Sequence, residues 1–106
     1  MVSVIYLEEI MTTAEVLEKL RDYKIQNEDK YGIMSLGIFG SYSRGMATSN
    51  SDIDIVIETK EPDIYMLVHI KDDLEKIFNK SIDIVRNRKN LNRYLNKRIN
   101  RDALYV

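Results

Sequence analysis

The chain has no cysteine and a single histidine, His69, among its 106 residues. The first absence excludes disulfides, thiolate metal centres and a cysteine nucleophile. The second argues against a histidine-rich zinc site or a histidine-based catalytic triad. Long apolar runs are also missing, and none approaches the ~20 residues that a membrane-spanning helix needs. The first ten residues carry Glu8 and Glu9 and lack a basic start, so they do not read as a signal peptide. A cytoplasmic protein without a membrane segment is the expectation. Neither sign of charge dominates: the net charge is -1, with 44% hydrophobic and 31% charged residues. That mixture excludes a collagen-like chain, a disulfide scaffold and a disordered tail. The length suits one domain that can bury roughly two-thirds of its unfolded surface.

The charges that are present are unevenly placed. Sixteen of the 17 acids lie at or before Asp83, whereas residues 86–101 hold seven basic residues and no acid. Thr12-x-x-Glu15 is a capping box, followed at helical spacing by Val16, Leu17, Leu20 and Tyr23. This helix is expected to fray in the polar stretch 26–30 and to stop near Gly32. Residues 33–39 (IMSLGIF) read as a buried strand, 40–50 as a loop or short helical turn, and 52–58 (DIDIVIE) as a second strand. Pro62 suits a helix first turn, and Ile64, Leu67, Val68, Leu74, Ile77 and Phe78 trace an amphipathic helix. Residues 81–86 (SIDIVR) form a third strand, and Leu91, Tyr94, Leu95 and Ile99 mark a last helix. The fold class is α/β (α+β): a small mixed β-sheet with flanking helices, in the order α-β-turn-β-α-β-α. Residues 13–106 form one domain. Residues 1–12 are an N-terminal extension in which Val2 to Leu7 is either an extra strand or sequence upstream of a true start at Met11.

Three acids stand in apolar surroundings. Asp52 and Asp54 flank Ile53, and two residues apart on a strand they share a face, about 7 Å apart. Asp83 interrupts the third strand. A carboxylate inside an apolar strand must be paired, protonated or metal-bound. If the second and third strands are neighbours, all three converge, and a divalent cation relieves their repulsion. Oxygen ligands without His or Cys favour Mg²⁺ or Mn²⁺. A lone D-x-D is more often a strand entry, a solvent-facing acid and a salt bridge. Here it follows Gly40-Ser41, which ends the first strand, and Arg44-Gly45. Such a turn can bring backbone N–H groups to phosphate oxygens, with the Ser41 hydroxyl and the Arg44 cation beside them. Alone, Gly40-Ser41 would be an ordinary turn. Together, the phosphate cradle and the candidate metal site would both be satisfied by a bridging triphosphate.

Gly40-Ser41, ten residues, then Asp52-Ile-Asp54 resembles the G-S-x10-D-x-D signature of the minimal nucleotidyltransferases, the MNT branch of the DNA polymerase β-like superfamily. The string GSYSRGMATSNSDIDIVIE is similar to the family form, including Arg44-Gly45 and Ser51. Asp83 falls where the family has its third carboxylate, and KRINRDALYV is similar to its basic last helix. The resemblance covers roughly residues 13–105. It implies a nucleotidyltransferase fold and transfer of a nucleoside monophosphate from a nucleoside triphosphate, ATP in the reading preferred here, to a hydroxyl. By position it implies that Asp52, Asp54 and Asp83 are catalytic and hold the metal, with Asp83 favouring deprotonation of the acceptor. Gly40 and Ser41 would contact the β- and γ-phosphates. Arg44 would bind phosphate or pair with a carboxylate that holds the loop.

In this family such chains accompany a HEPN-domain RNase toxin, and the MNT protein acts as antitoxin by adding AMP to a tyrosine of the toxin. The resemblance thus implies a HEPN partner. Two other readings stand beside it: an antitoxin that occludes its partner without catalysis, and a small RNA-modifying transferase. A homo-oligomer is compatible with the sequence. Arg93, Lys97 and Arg101 recur every four residues as one stripe, either a partner-binding face or a solvated helix face. No aromatic residue interleaves it, which disfavours nucleic-acid binding. Arg86 and Arg88 follow the third strand closely enough to reach a triphosphate. His69 reads as a helix-surface residue and Tyr94 as part of an apolar stripe. Tyr42 is a loop tyrosine that could stack on a base. Met34, Met46 and Met66 read as packing residues.

Overall fold

The structure, a computed structural model, describes residues 10–88 and 91–106. The question of a strand at Val2 to Leu7, and Lys89 of the basic segment, lie outside the described residues.

The capping box forms as its sequence requires. Thr12 Oγ1 accepts from the Glu15 N–H, and Glu15 Oε1 accepts from the Thr12 N–H. It opens α1 (Thr13–Tyr31). This helix does not fray at residues 26–30. Asn27 Nδ2 donates to the Tyr23 carbonyl, and Gly32, in the left-handed conformation, closes the helix cleanly. Then come β1 (Ile33–Phe39), β2 (Ile53–Thr59), α2 (Ile64–Phe78), β3 (Ile82–Arg86), α3 (Arg93–Asp102) and a two-residue strand, β4 (Leu104–Tyr105). Pro62 sits outside α2, just before its N-cap Asp63, which accepts from the N–H groups of Tyr65 and Met66. No helix among the described residues is long and apolar enough to cross a membrane.

The strand order is β3-β2-β1-β4. The β1–β2 and β1–β4 pairs are antiparallel, and β2–β3 is parallel. The sheet is therefore mixed, as expected. β4 was not expected, because two residues are too few to show a period. It pairs through Gly37 and Ile38, and the Val106 N–H reaches the Leu36 carbonyl. Gly37 makes this approach possible. A β-carbon there would lie 2.6 Å from the Leu104 carbonyl oxygen and 2.9 Å from the Tyr105 ring.

Strand alternation sends successive side chains to opposite faces. Ile53, Ile55 and Ile57 of β2, with Leu36 and Ile38 of β1, pack under Val16, Leu20 and Tyr23 of α1 and Ile70, Leu74 and Phe78 of α2. The other face holds a smaller cluster of Phe39, Val56 and Ile99, flanked by Val85, Leu91, Leu95 and Ala103. Only α3 covers that face among the described elements, and Asp54 and Asp83 fall on it by the same alternation. Several apolar positions of the expected stripes are nonetheless exposed. Tyr94 is 69% exposed, as are Ile64, Val68, Met34 and Met46 to lesser or similar degrees, while Met66 packs as expected. Helical and strand periods do not tell which apolar residue finds a neighbour. His69 lies exposed on α2.

The end of α3 is tied to the turn that follows β1. The Asp102 side chain, only 3% exposed, accepts from Arg101 Nε and Nη2 at 2.7 and 2.9 Å, and Arg44 Nε lies 3.9 Å from it. The Arg101 hydrogen bonds hold the Asp102 carboxyl below the usual carboxylate range, against the opposing effect of burial.

Two outcomes follow from this packing. Gly37→Ala should cost about 1–3 kcal/mol through overpacking, with hydrogen exchange at the Val106 amide accelerating before that of β2. Asp102→Asn should lower the melting temperature at neutral pH. A depressed carboxyl pKa stabilises the fold above the unfolded value of about 4 and ceases to do so as pH falls through the folded value. The difference between wild type and variant should therefore close on acidification, as thermal melts across pH 2–7 would show.

Candidate active site

The site is assembled at one end of the β1–β2–β3 ladder. Asp54 pairs with Phe39 across the antiparallel ladder and with Asp83 across the parallel one. Side-by-side residues of neighbouring strands point to the same face, so the Asp54 and Asp83 side chains share the α3 face. Asp52 stands one residue ahead of β2. The loop delivering it is closed by Thr48 and Ser51: the Thr48 N–H donates to Ser51 Oγ, and the Ser51 N–H donates to the Thr48 carbonyl. Lys80 Nζ holds the Ser49 carbonyl at 3.1 Å, which fastens this loop to the entry of β3. A cleft of about 470 Å³ opens beside Asp52 between residues 49–52 and 78–81.

The three carboxylates differ in setting. Only Asp54 is half-buried; Asp52 and Asp83 are exposed. Asp54 and Asp83 lie within strands as expected, but the placement of Asp52 inside a strand needs correction, since it precedes β2. Asp83 reaches water as well, because β3 is a sheet edge. Asp54 carries the electrostatic load. Burial raises its carboxyl pKa above the usual value, Arg98 opposes that rise, and the Asp83 and Asp52 charges add to it. Among the described residues, no three acidic or histidine side chains are drawn into a closed metal-ligand cluster.

The turn after β1 supplies the second half. Gly40 has φ +74°, and a β-carbon there would collide with Asp54 Oδ2. Glycine thus serves two ends here, a left-handed turn and close approach to a carboxylate. The turn is closed by its own bonds: Arg44 N–H to the Gly40 carbonyl, Gly45 N–H to Tyr42, Met46 N–H to Ser41, and Ser43 Oγ to Gly40. Thr13 Oγ1 donates to the Tyr42 carbonyl at 2.6 Å, linking the turn to the start of α1. No described residue accepts from the N–H groups of Ser41, Tyr42 or Ser43. Turn N–H groups without an acceptor of this kind can bind phosphate oxygens.

Tyr42 itself is 2% exposed and belongs to the main core, so it does not present its ring to a base. Arg44 is engaged with Asp102, the loop-holding alternative of its two expected roles. Arg86 and Arg88 line a separate groove with Ile64, Leu67, Leu91 and Leu95. Three residues beyond Asp83 on an extended strand, Arg86 lies about 10 Å further along.

Arg98 was not foreseen as a site residue. Its Nη2 lies 3.6 Å from Asp54 Oδ2, and its guanidinium stands over the Phe39 ring at 5.3 Å. The signal that could have found it is the helical period: Arg98 falls between Leu95 and Ile99 on the face that α3 turns to the sheet. Its basic neighbours Arg93, Lys97 and Arg101 are exposed.

The chain matches the family model "Polymerase beta, Nucleotidyltransferase" over residues 18–105. It is 38% identical over 98 residues to a candidate protein adenylyltransferase of Methanocaldococcus jannaschii, covering 90% of this chain and 98% of that one. Its fold is similar to a candidate minimal nucleotidyltransferase of solved structure, with a TM-score of 0.71 and 24% identity over 89% of this chain and 95% of the other. A chain in the complex of tri-AMPylated Shewanella oneidensis HEPN toxin with its MNT antitoxin has a TM-score of 0.55 and 19% identity, covering 88% of this chain and 66% of that one. The family match and the identity to a protein adenylyltransferase agree with the mixed sheet described above: the chain belongs to the polymerase β-type nucleotidyltransferase family, among the relatives named as protein adenylyltransferases.

Proposed function

We propose that this nucleotidyltransferase moves AMP from ATP to a hydroxyl of a partner protein, a tyrosine of a HEPN-domain toxin, and thereby acts as its antitoxin. The observation that carries the reading is the contact between Gly40 and the Asp54 carboxylate, with Asp83 beside it. It supports a reading in which phosphate donors and acidic oxygens lie within one triphosphate's span. The kinship with adenylyltransferases supports AMP as the group moved. The AMPylated toxin in the Shewanella oneidensis complex supports the acceptor.

The N–H groups at residues 41–43 and the Ser41 hydroxyl would hold the β- and γ-phosphates. Asp52, Asp54 and Asp83 have the all-oxygen chemistry that fits Mg²⁺ or Mn²⁺. An open arrangement is what such an ion needs when it is held by one or two carboxylates, water and substrate phosphates. Once bound, it would supply charge neutralisation at the phosphates. The acceptor oxygen forms a bond to the α-phosphorus, and the bond from that phosphorus to the oxygen bridging to the β-phosphate breaks. Pyrophosphate leaves with that electron pair. The hydroxyl proton passes to Asp83 or to water. Asp83 is exposed on the edge strand, where a hydroxyl carried by another molecule can reach it. In this scheme the protein contributes position and charge.

A second reading is occlusion of the partner without catalysis. One assay separates the two. The chain is incubated with α-³²P-ATP, Mg²⁺ and its paired HEPN protein. Label should appear on protein, resist RNase, and fall by roughly 10²–10³-fold or more in Asp52→Asn/Asp54→Asn. Protection that persists in that double variant without label would establish occlusion. Label on RNA would establish an RNA-modifying transferase.

A further inference from the structure

Arg98 is the one basic residue of α3 whose side chain the fold turns inward, at 28% exposure. Two aromatic faces hold it. Its guanidinium carbon lies 5.3 Å from the Phe39 ring centre and 5.8 Å from that of Tyr94. Such contacts fix a guanidinium in place without using its N–H groups. The pairing with Asp54 does not use them either, because 3.6 Å is an ion pair and too long for a hydrogen bond. No hydrogen bond joins the Arg98 side chain to a described residue. A half-buried guanidinium with its donors uncommitted is thus poised over the active-site carboxylate. It also flanks the phosphate turn: its Nη2 would lie 3.3 Å from a β-carbon built on Gly40.

We propose that Arg98 is a substrate-binding residue of the active site, resting on Asp54 in the free protein and taking the β,γ-phosphates when the nucleotide binds. The inference rests on the proposed function for what occupies the turn at Gly40. The charges favour it. Asp52, Asp54 and Asp83 crowd negative charge at the place where a triphosphate must dock. A guanidinium at Gly40 offsets that repulsion and offers paired donors to two phosphate oxygens. As the bond between the α-phosphorus and the bridging oxygen breaks, negative charge grows on the departing pyrophosphate, where Arg98 then stands. The attack on the α-phosphorus and the fate of the hydroxyl proton are unchanged.

The test is calorimetric titration of the full chain, with Mg²⁺, using pyrophosphate, ATP and AMP as separate ligands. Arg98→Met keeps the apolar stem on Phe39 and removes the guanidinium. It should weaken pyrophosphate and ATP by roughly 10–100-fold, and leave AMP, which lacks the β,γ-phosphates, within about two-fold. Arg98→Lys should recover part of the loss. Lys97→Met, the same charge change on an exposed neighbour, should leave all three ligands near wild type. The proposal is overturned if Arg98→Met and Arg98→Lys bind pyrophosphate as wild type does, if AMP weakens in step, or if Lys97→Met has the same effect. It is also overturned if the wild-type chain binds neither pyrophosphate nor ATP. Binding that depends on Arg98 in a chain that labels no protein would uphold this role and refute the transfer reading instead.

Discussion

Asp54 keeps a carboxylate on the covered face of the sheet, against the cost of desolvation and the repulsion of Asp52 and Asp83. Much of the local structure answers to that placement. Gly40 has no side chain because the Asp54 oxygen stands where one would go. Arg98 supplies the nearest positive charge, and Phe39 supplies the surface on which that charge rests.

The two faces of the sheet divide the work. Under α1 and α2 lies a dry, branched-aliphatic core that fixes the register of β1, β2 and β3. A one-residue slip in that register would send Asp54 into the core and expose Ile53 and Ile55. Under α3 the apolar contact is small, limited to Phe39, Val56 and Ile99 with their half-buried neighbours, and the remainder is charge. The same helix ends at Asp102, which meets Arg44 from the phosphate turn. Through Arg98 and Asp102, α3 touches both halves of the site. The last helix is thereby tied to both parts of the candidate site as well as covering the sheet.

The legible parts of the sequence were those written in periods and pairs. The capping box, the three longer strands and the amphipathic α2 follow from local spacing, whereas the neighbourhood of Asp54 and Asp83 stood only as a condition, that the second and third strands lie side by side, and their parallel pairing is a tertiary fact. β4 was illegible because two residues carry no period and because its partner, Gly37, advertises only a missing side chain. Tyr42 looked like a loop residue and proved to be core, since a turn held by Thr13 can drop a ring inward. Arg98 was hidden among seven basic residues of one segment. What singles it out is a tertiary fact, the packing of α3 across Phe39. Asp52 and Asp83 looked buried from their apolar neighbours, but strand ends and sheet edges meet water whatever flanks them.

The central claim is that the turn at Gly40 and the acids beside it form one triphosphate site. The most direct measurement is a crystal structure of the chain with Mg²⁺ and an ATP analogue that cannot be cleaved between its α- and β-phosphates. The account predicts the β,γ-phosphates on the N–H groups of residues 41–43 and a metal ion shared by the phosphates, Asp52 and Asp54. A nucleotide bound away from Gly40, with no metal at these carboxylates, would contradict it.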